Sequence, residues 1–169
     1  MANLFEPNFE EESSQPGFSW KRARLGRQAG ADRLGASLYE LPPGQATFPY
    51  HAHFANEEML IVVQGHPSLR TDDGWRELSP GEVVSFRVGR DGAHQIANRS
   101  EKPARVLLLS EMNAPEVSLY PDSNKVLAGT RPPGGEEGDD DIFETFALVD
   151  ATDYWDEERP PLEPGTAEG

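Results

Sequence analysis

The sequence predicts an all-β protein that folds as one small barrel or sandwich. Short apolar or alternating segments recur about every 8–12 residues from Ser19 to Tyr120, with turns rich in Gly, Pro and Asp between them. Hydrophobic residues make up 36% of the 169 residues, and 16 glycines and 15 prolines interrupt them. That composition favours a turn-rich β protein over a helical bundle. No internal repeat is visible, so a single barrel is expected.

Residues 1–17 are polar and acidic and contain Pro7 and Pro16, so we expect an extended N-terminal arm. The barrel domain is predicted to cover residues 18–128. Its first strands are predicted in the alternating segments FSWKRARL and RLGASLYEL, before the turn ELPPGQ.

The central strands are separated by clear turn signals. The β-branched segment EMLIVVQG predicts a buried strand, and PSLRTDDGWREL predicts a hairpin with Asp73–Gly74 at its tip. A short strand in EVVSF, a strand in HQIAN and a long apolar strand ending near Ser110 follow. The motif YPDS, from Tyr120 to Ser123, is interpreted as a turn that ends the last core strand.

The C-terminal region, residues 129–169, is predicted to be an acidic loop and tail. From residue 136 onwards, thirteen Asp or Glu residues and one Arg give −12 of the total net charge of −15. We expect this region to be partly disordered, although IFETFALVDATDYW can return as a strand or helix with DYW as an aromatic anchor. The acidic balance argues against nucleic-acid binding.

The chain contains no cysteine, which excludes disulfides and thiolate chemistry. No segment has the roughly 20 apolar residues of a transmembrane helix, and the N-terminus lacks the features of a secretory signal. We therefore expect a protein that is soluble and cytoplasmic, with no membrane partner.

Two of the four histidines, His51 and His53, are two residues apart and share one face of a strand. Neutral imidazole is the commonest protein ligand for transition metals. A carboxylate follows at Glu58, and Glu57 competes with it, but alternation sends the two glutamates to opposite faces. Glu58 shares its face with the apolar residues Leu60 and Val62. Two histidines and one carboxylate can hold a metal and leave positions open for a substrate.

These residues resemble the first motif of the cupin superfamily, written His51-x-His53-x4-Glu58-x6-Gly65. Gly81 and the segment GAHQIAN, with His94 and Asn98, resemble the second motif. The motifs span about residues 44–98, and the strand pattern extends the resemblance to about residue 120. It implies a double-stranded β-helix (jelly-roll, cupin-type) barrel around one divalent metal ion, which is iron, manganese, nickel, cobalt or zinc. The implied metal ligands are His51, His53, Glu58 and His94.

The resemblance has one departure and leaves some roles open. Arg87 stands where the second motif often has proline. Asn98 either lies beside His94 as a supporting residue or caps the turn NRSEKP. His66, in the turn GHP, is expected to be exposed. The residues expected to shape the barrel interior are Phe48, Leu60, Val62, Phe86 and Ile96.

The stretches YPDS and DYWDEE resemble parts of single-domain (type 2) cupins that have no assigned reaction. The leading hypothesis is a mononuclear metalloenzyme that acts on a small organic molecule as a dioxygenase, decarboxylase or isomerase. The alternative is a non-catalytic cupin that binds a small molecule. The resemblance also implies a homodimer paired through sheet edges, which would cover strands that otherwise promote aggregation.

Overall fold

Antiparallel strands make up most of the regular structure in the computed structural model, which describes residues 2–135, 138–154, 156 and 158. The one α-helix among these residues, α1, covers Leu25–Gln28, and no helix there has the length and apolar character to span a membrane. Short 3-10 helices cover Arg90–Gly92, Pro121–Ser123 and Leu148–Asp150. The strands are β1 (Glu11–Gln15), β2 (Phe18–Ala23), β3 (Leu34–Leu41), β4 (Ala52–His53), β5 (Glu58–Gln64), β6 (Ser68–Thr71), β7 (Gly74–Glu77), β8 (Val83–Phe86), β9 (Gln95–Ala97), β10 (Ala104–Glu111), β11 (Glu116–Tyr120), β12 (Lys125–Gly129) and β13 (Phe143–Ala147).

The described strands form three antiparallel sheets. The largest has the order β1-β2-β3-β10-β5-β8, the second β13-β12-β11-β4 and the third β7-β6-β9. Isolated bridges join Ala46 to Ala97 and His51 to His94. The all-β prediction is confirmed, and three sheets connected by bridges, not one continuous ring of strands, build the jelly roll.

The main core lies between the six-stranded sheet and the three-stranded sheet. Along β5, Leu60 and Val62 point into it, and Ile96 of β9 meets them from the other sheet. Strand alternation explains the pattern, because residues two apart share a face. Each such side chain stabilises the fold by roughly 1.5–3 kcal/mol when it is fully removed from water. The core cluster contains Tyr39, Leu41, Leu60, Val62, Leu69, Leu78, Phe86, Ile96, Val106 and Leu108.

The N-terminal region, expected to be an extended arm, contains the strand β1. Within it, β1 pairs with β2 along its whole length, from Glu11 opposite Arg22 to Gln15 opposite Phe18. Leu4 and Phe9 pack on the outer face of the large sheet, against a small cluster around Leu38. These contacts give an otherwise polar segment the apolar burial that holds it on the sheet.

One detail of the strand predictions was wrong, and one strand was missed. The β6–β7 register pairs Thr71 with Gly74, so the hairpin tip is Asp72–Asp73, one residue earlier than expected. Gly74 instead takes the left-handed conformation (φ 101°) that follows the tight turn. The predicted turn at YPDS is confirmed, because β11 ends at Tyr120 and Pro121–Ser123 form a 3-10 turn. The strand β12, which follows the left-handed Asn124 (φ 49°) and pairs with β11, was not predicted.

The predicted return of the C-terminal region occurs as a strand. β13 pairs with β12 over five residues, from Phe143 opposite Gly129 to Ala147 opposite Lys125. Of the predicted aromatic anchor, Tyr154 is 80% exposed, and Trp155 lies outside the described residues. The predicted disorder of the last residues, from 159 onwards, also lies outside them.

Candidate metal centre

The two sequence motifs meet at the bridge between His51 and His94. The His51 amide donates to the His94 carbonyl over 3.1 Å, and the His94 amide donates to the His51 carbonyl over 2.8 Å. This reciprocal pair sets the two ring centroids 4.7 Å apart. Backbone pairing thus brings together two histidines that are 43 positions apart in the sequence.

His53 and Glu58 complete the cluster from two other strands. His53 lies on β4, opposite Ser118 of β11, and its ring centroid is 4.8 Å from that of His51. Glu58 begins β5, with its side chain turned inward on the face that carries Leu60, whereas Glu57 is exposed. The alternation argument therefore separated the two glutamates correctly.

The Glu58 carboxylate lies close to the ring nitrogens of His53 and His94. Glu58 Oε2 is 3.5 Å from His53 Nε2 and 3.4 Å from His94 Nε2. One ligand atom each from His51, His53 and Glu58 lies within 4.8 Å of the others. Two ligands on opposite sides of an ion are about 4.2 Å apart, because a typical metal–nitrogen bond is about 2.1 Å. The two Glu58–histidine separations are shorter than this limit, and 4.8 Å exceeds it by only about 0.6 Å, so the group could hold a single transition-metal ion after a small inward movement of the side chains.

The other ring nitrogen of each histidine is already occupied. His51 Nδ1 donates to the Pro49 carbonyl over 2.8 Å, and His94 Nδ1 donates to the Gly92 carbonyl over 2.9 Å. A carbonyl oxygen only accepts, so each Nδ1 carries the proton and each Nε2 keeps its lone pair. This is the arrangement in which imidazole binds a metal, with an outer partner fixing the tautomer.

His53 has a buried carboxylate as its outer partner, which the sequence interpretation missed. His53 Nδ1 lies 3.5 Å from Glu116 Oε1 and 3.3 Å from the Ser118 hydroxyl. Glu116 is 0% exposed and also accepts from the Phe54 amide and the Asn56 side chain. The only sequence signal is alternation along β11, which places Glu116, Ser118 and Tyr120 on one face.

The surroundings of each ligand in the cluster set its protonation state. Burial, with the nearby His94 and His53, lowers the pKa of His51 to about 3, so its ring is neutral. Burial alone would raise the pKa of Glu58, but the close contact with His94 and the neighbouring His53 and His51 rings lower it to about 2. Burial lowers the pKa of His53, yet the Glu116 and Glu58 carboxylates outweigh it and leave that pKa raised. A metal would displace this proton.

The cluster opens into a cavity of about 820 Å³. Phe48 and Ile96 line it, as expected, and Tyr120 lies against the His51 ring in a stacked arrangement. The interior candidates Leu60, Val62 and Phe86 lie instead in the main core. Phe86 still contacts the site, because its ring stacks on the His94 ring at a centroid distance of 3.7 Å.

The remaining sequence candidates lie away from the cluster. The Asn98 side chain donates to the Leu41 and Lys102 carbonyls, and its oxygen accepts from Ser100. These contacts match the turn-capping interpretation, one of the two left open. His66 and Arg87 are exposed.

Comparison with known proteins identifies the domain. The family model described as "Cupin domain" matches residues 37–110. A protein provisionally named sugar phosphate isomerase, from Acidithiobacillus ferrooxidans ATCC 23270, is 23% identical, with a TM-score of 0.74 over 88% of this chain and 90% of that one. A sugar phosphate isomerase of the cupin superfamily from Silicibacter pomeroyi DSS-3 is 26% identical, with a TM-score of 0.68 over 84% of this chain and 99% of that one.

A third solved structure, a predicted oxalate decarboxylase from Thermotoga maritima, is 19% identical, with a TM-score of 0.55 over 66% of this chain and 97% of that one. A comparison with curated proteins gave no match. The family match covers both motifs, and the solved structures share the fold. Residues 37–110 therefore form a cupin-type domain, and the chain carries the fold of the cupin superfamily.

Proposed function

We propose that this protein is a mononuclear metal-dependent cupin enzyme that acts on a small organic molecule. The observation that carries the proposal is the set of three histidines whose Nδ1 atoms are tied to protein acceptors beside the inward-facing Glu58. His51, His53, Glu58 and His94 would hold the ion. Iron, manganese, nickel, cobalt and zinc all accept this donor set.

A bound divalent ion would act as a Lewis acid toward an oxygen atom of the substrate. The protein residues supply the binding surface for that substrate. Phe48 and Tyr120 form apolar walls next to the cluster. Tyr39 also lines the cavity, and burial raises the pKa of its hydroxyl group, which therefore stays protonated. That hydroxyl accepts from Arg22 and keeps its own proton to donate to a substrate oxygen.

Among the possible reactions, isomerisation of a phosphorylated sugar has the most support. The Silicibacter pomeroyi protein, named a sugar phosphate isomerase, aligns with this chain over nearly its own whole length at 26% identity. Isomerisation moves a proton between neighbouring carbon atoms and needs no oxidant, which suits a Lewis-acid ion. The experiment described next also detects dioxygenation, as oxygen uptake, and decarboxylation, as carbon dioxide release.

The test uses protein loaded separately with each of the five metals. Aldose and ketose phosphates are followed by NMR for interconversion, while dicarboxylic acids are followed for carbon dioxide release and oxygen uptake is recorded throughout. The proposal predicts interconversion of at least one sugar phosphate, and its loss in the His51→Ala and His94→Ala variants. A loaded protein that binds small molecules and converts none of them supports the non-catalytic alternative.

Homodimer formation and a cytoplasmic location are also proposed here. β1 is the outermost strand of the large sheet, and β13 is the outermost strand of the second sheet. Open edges of this kind are the surfaces that pairing between two copies would cover.

A further inference from the structure

Three arginines line the same cavity as the histidine–glutamate cluster. Arg22 lies on β2, Arg24 directly precedes α1, and Arg27 lies in the last turn of α1. Among the cavity-lining residues, the carboxylates are Asp32 and Glu58. This concentration of positive charge contrasts with the net charge of −15 on the whole chain. We call Arg22, Arg24 and Arg27 the arginine cluster.

Arg22 is held in place but not fully satisfied. Its Nη1 donates to the Tyr39 hydroxyl over 3.2 Å, and its Nη2 pairs with Glu11. Its Nε is buried and has no hydrogen-bond partner among the described residues. A buried donor left without a partner carries a free-energy cost, which an acceptor atom of a bound molecule would relieve.

Arg24 shares the same carboxylate. Its Nε pairs with Glu11, and its Nη1 donates to the Gly134 carbonyl over 2.7 Å. One carboxylate therefore orients two guanidinium groups and neutralises only one of them. The side chains of Arg22 and Arg24 are 13% and 21% exposed, so solvent screens their charge only partly.

The arginine cluster and the metal ligands are spaced for a molecule of several carbon atoms. Arg22 on β2 and Glu58 on β5 lie on strands separated by β3 and β10 in the large sheet. Three inter-strand steps correspond to about 14 Å between strand axes. The register lines Arg22 up with Val62, so Glu58 is also displaced by four residues, about 13 Å, along β5. Both residues line the same cavity, and the two long side chains shorten the gap from opposite sides.

We propose that the arginine cluster binds the phosphate group of a phosphorylated small molecule whose other end reaches the histidine–glutamate cluster. A guanidinium group can donate two parallel hydrogen bonds to a phosphate group, and it always carries a positive charge. Arginine is therefore favoured at phosphate-binding sites in proteins. The identification of the substrate as a metal-bound sugar phosphate rests on the proposed function. Phosphate binding by the arginine cluster does not, because it requires no metal.

The test is isothermal titration calorimetry on metal-free full-length protein with glucose 6-phosphate, glucose and gluconate as probes. The proposal predicts binding of glucose 6-phosphate, weaker binding of gluconate and no detectable binding of glucose. Arg27→Gln and Arg22→Gln should each weaken glucose 6-phosphate binding by about tenfold, the effect of losing a charge-assisted contact. Arg22→Lys, which keeps the charge without the paired donors, should fall between Arg22→Gln and the wild type.

Arg76→Gln is the matched control, because Arg76 pairs with Glu82 on the surface and lies outside the cavity. Thermal melts establish that every variant is folded. Unchanged binding in folded Arg27→Gln and Arg22→Lys, or gluconate binding tighter than glucose 6-phosphate, overturns the proposal. Arginine-dependent binding in His51→Ala supports the phosphate site even if the metal proposal fails.

Discussion

The Glu116 carboxylate lies 3.5 Å from Nδ1 of His53, while Nε2 of the same ring lies 3.5 Å from Glu58. The imidazole is therefore held between two carboxylates, one on each nitrogen. Because Glu116 is completely buried, its negative charge acts on His53 with little screening by water. This pairing fixes the ring and makes Nε2 a better electron donor toward a metal.

Glu116→Gln tests this arrangement. The substitution keeps the shape but removes the charge, and we expect metal affinity to fall by about 10–100-fold. The measurement is a Zn²⁺ titration in competition with a chromogenic chelator. Glu111→Gln is the matched control, since the Glu111 carboxylate accepts from the backbone amide of Glu57 and lies on the exposed end of β10. Equal zinc affinity in both variants would show that Glu116 only supports the loop around Phe54.

Gly65→Ala tests why the first motif ends in glycine. Gly65 has a φ of 78°, and a Cβ there would lie 2.8 Å from the Pro103 carbonyl oxygen. We expect destabilisation of about 3 kcal/mol, from the left-handed backbone together with the clash. Gly44→Ala is the control, because Gly44 has a similar φ of 76° with nothing near its Cβ, so about 1 kcal/mol is expected. Urea unfolding gives both values, and equal losses would contradict the role of the Pro103 contact.

Glu11 makes the stability of the hairpin formed by β1 and β2 depend on pH. Burial alone would raise the pKa of Glu11, but Arg22 and Arg24 outweigh it and lower the pKa below its ordinary value of 4.5. A lowered folded-state pKa gives stability that is present above pH 4.5 and lost as the pH falls through the folded-state value. We therefore expect metal-free wild type to melt at a higher temperature than Glu11→Gln at pH 7. The difference should shrink steadily below pH 4.5, and a difference that grows toward acid pH would contradict this ion pair.

The open strand edges predict a homodimer. Light scattering coupled to gel filtration should give twice the chain mass of 18.7 kDa. The scattering mass is independent of molecular shape, so it counts the chains directly. A mass of one chain at high concentration would show that the edges are protected in another way.

The strands were predictable because their alternation is strong. Leu60 and Val62 share a face with Glu58, and the same alternation predicts that the Glu58 side chain points inward. Gly74 and Asn124 show the limits of turn prediction, because the position of a left-handed residue depends on strand pairing as well as on local sequence.

The outer parts of the site were not predictable in the same way. Glu116 looks like a surface residue in the sequence, and its burial follows from the pairing of β11 with β4. The arginine cluster belongs to a segment, FSWKRARL, whose alternation indicated a strand but not which face meets the cavity. Contacts of this kind depend on how distant strands are arranged.

We propose that His51, His53, Glu58 and His94 bind one metal ion, and metal content after reloading tests this most directly. Inductively coupled plasma mass spectrometry should find about one ion per chain in the wild type, in His66→Ala and in Glu57→Gln. The same measurement should find less than about a tenth of an ion in His94→Ala and Glu58→Gln, because each removes a ligand from the proposed set. Wild-type protein that retains no metal, or ligand variants that retain a full ion, would contradict the account.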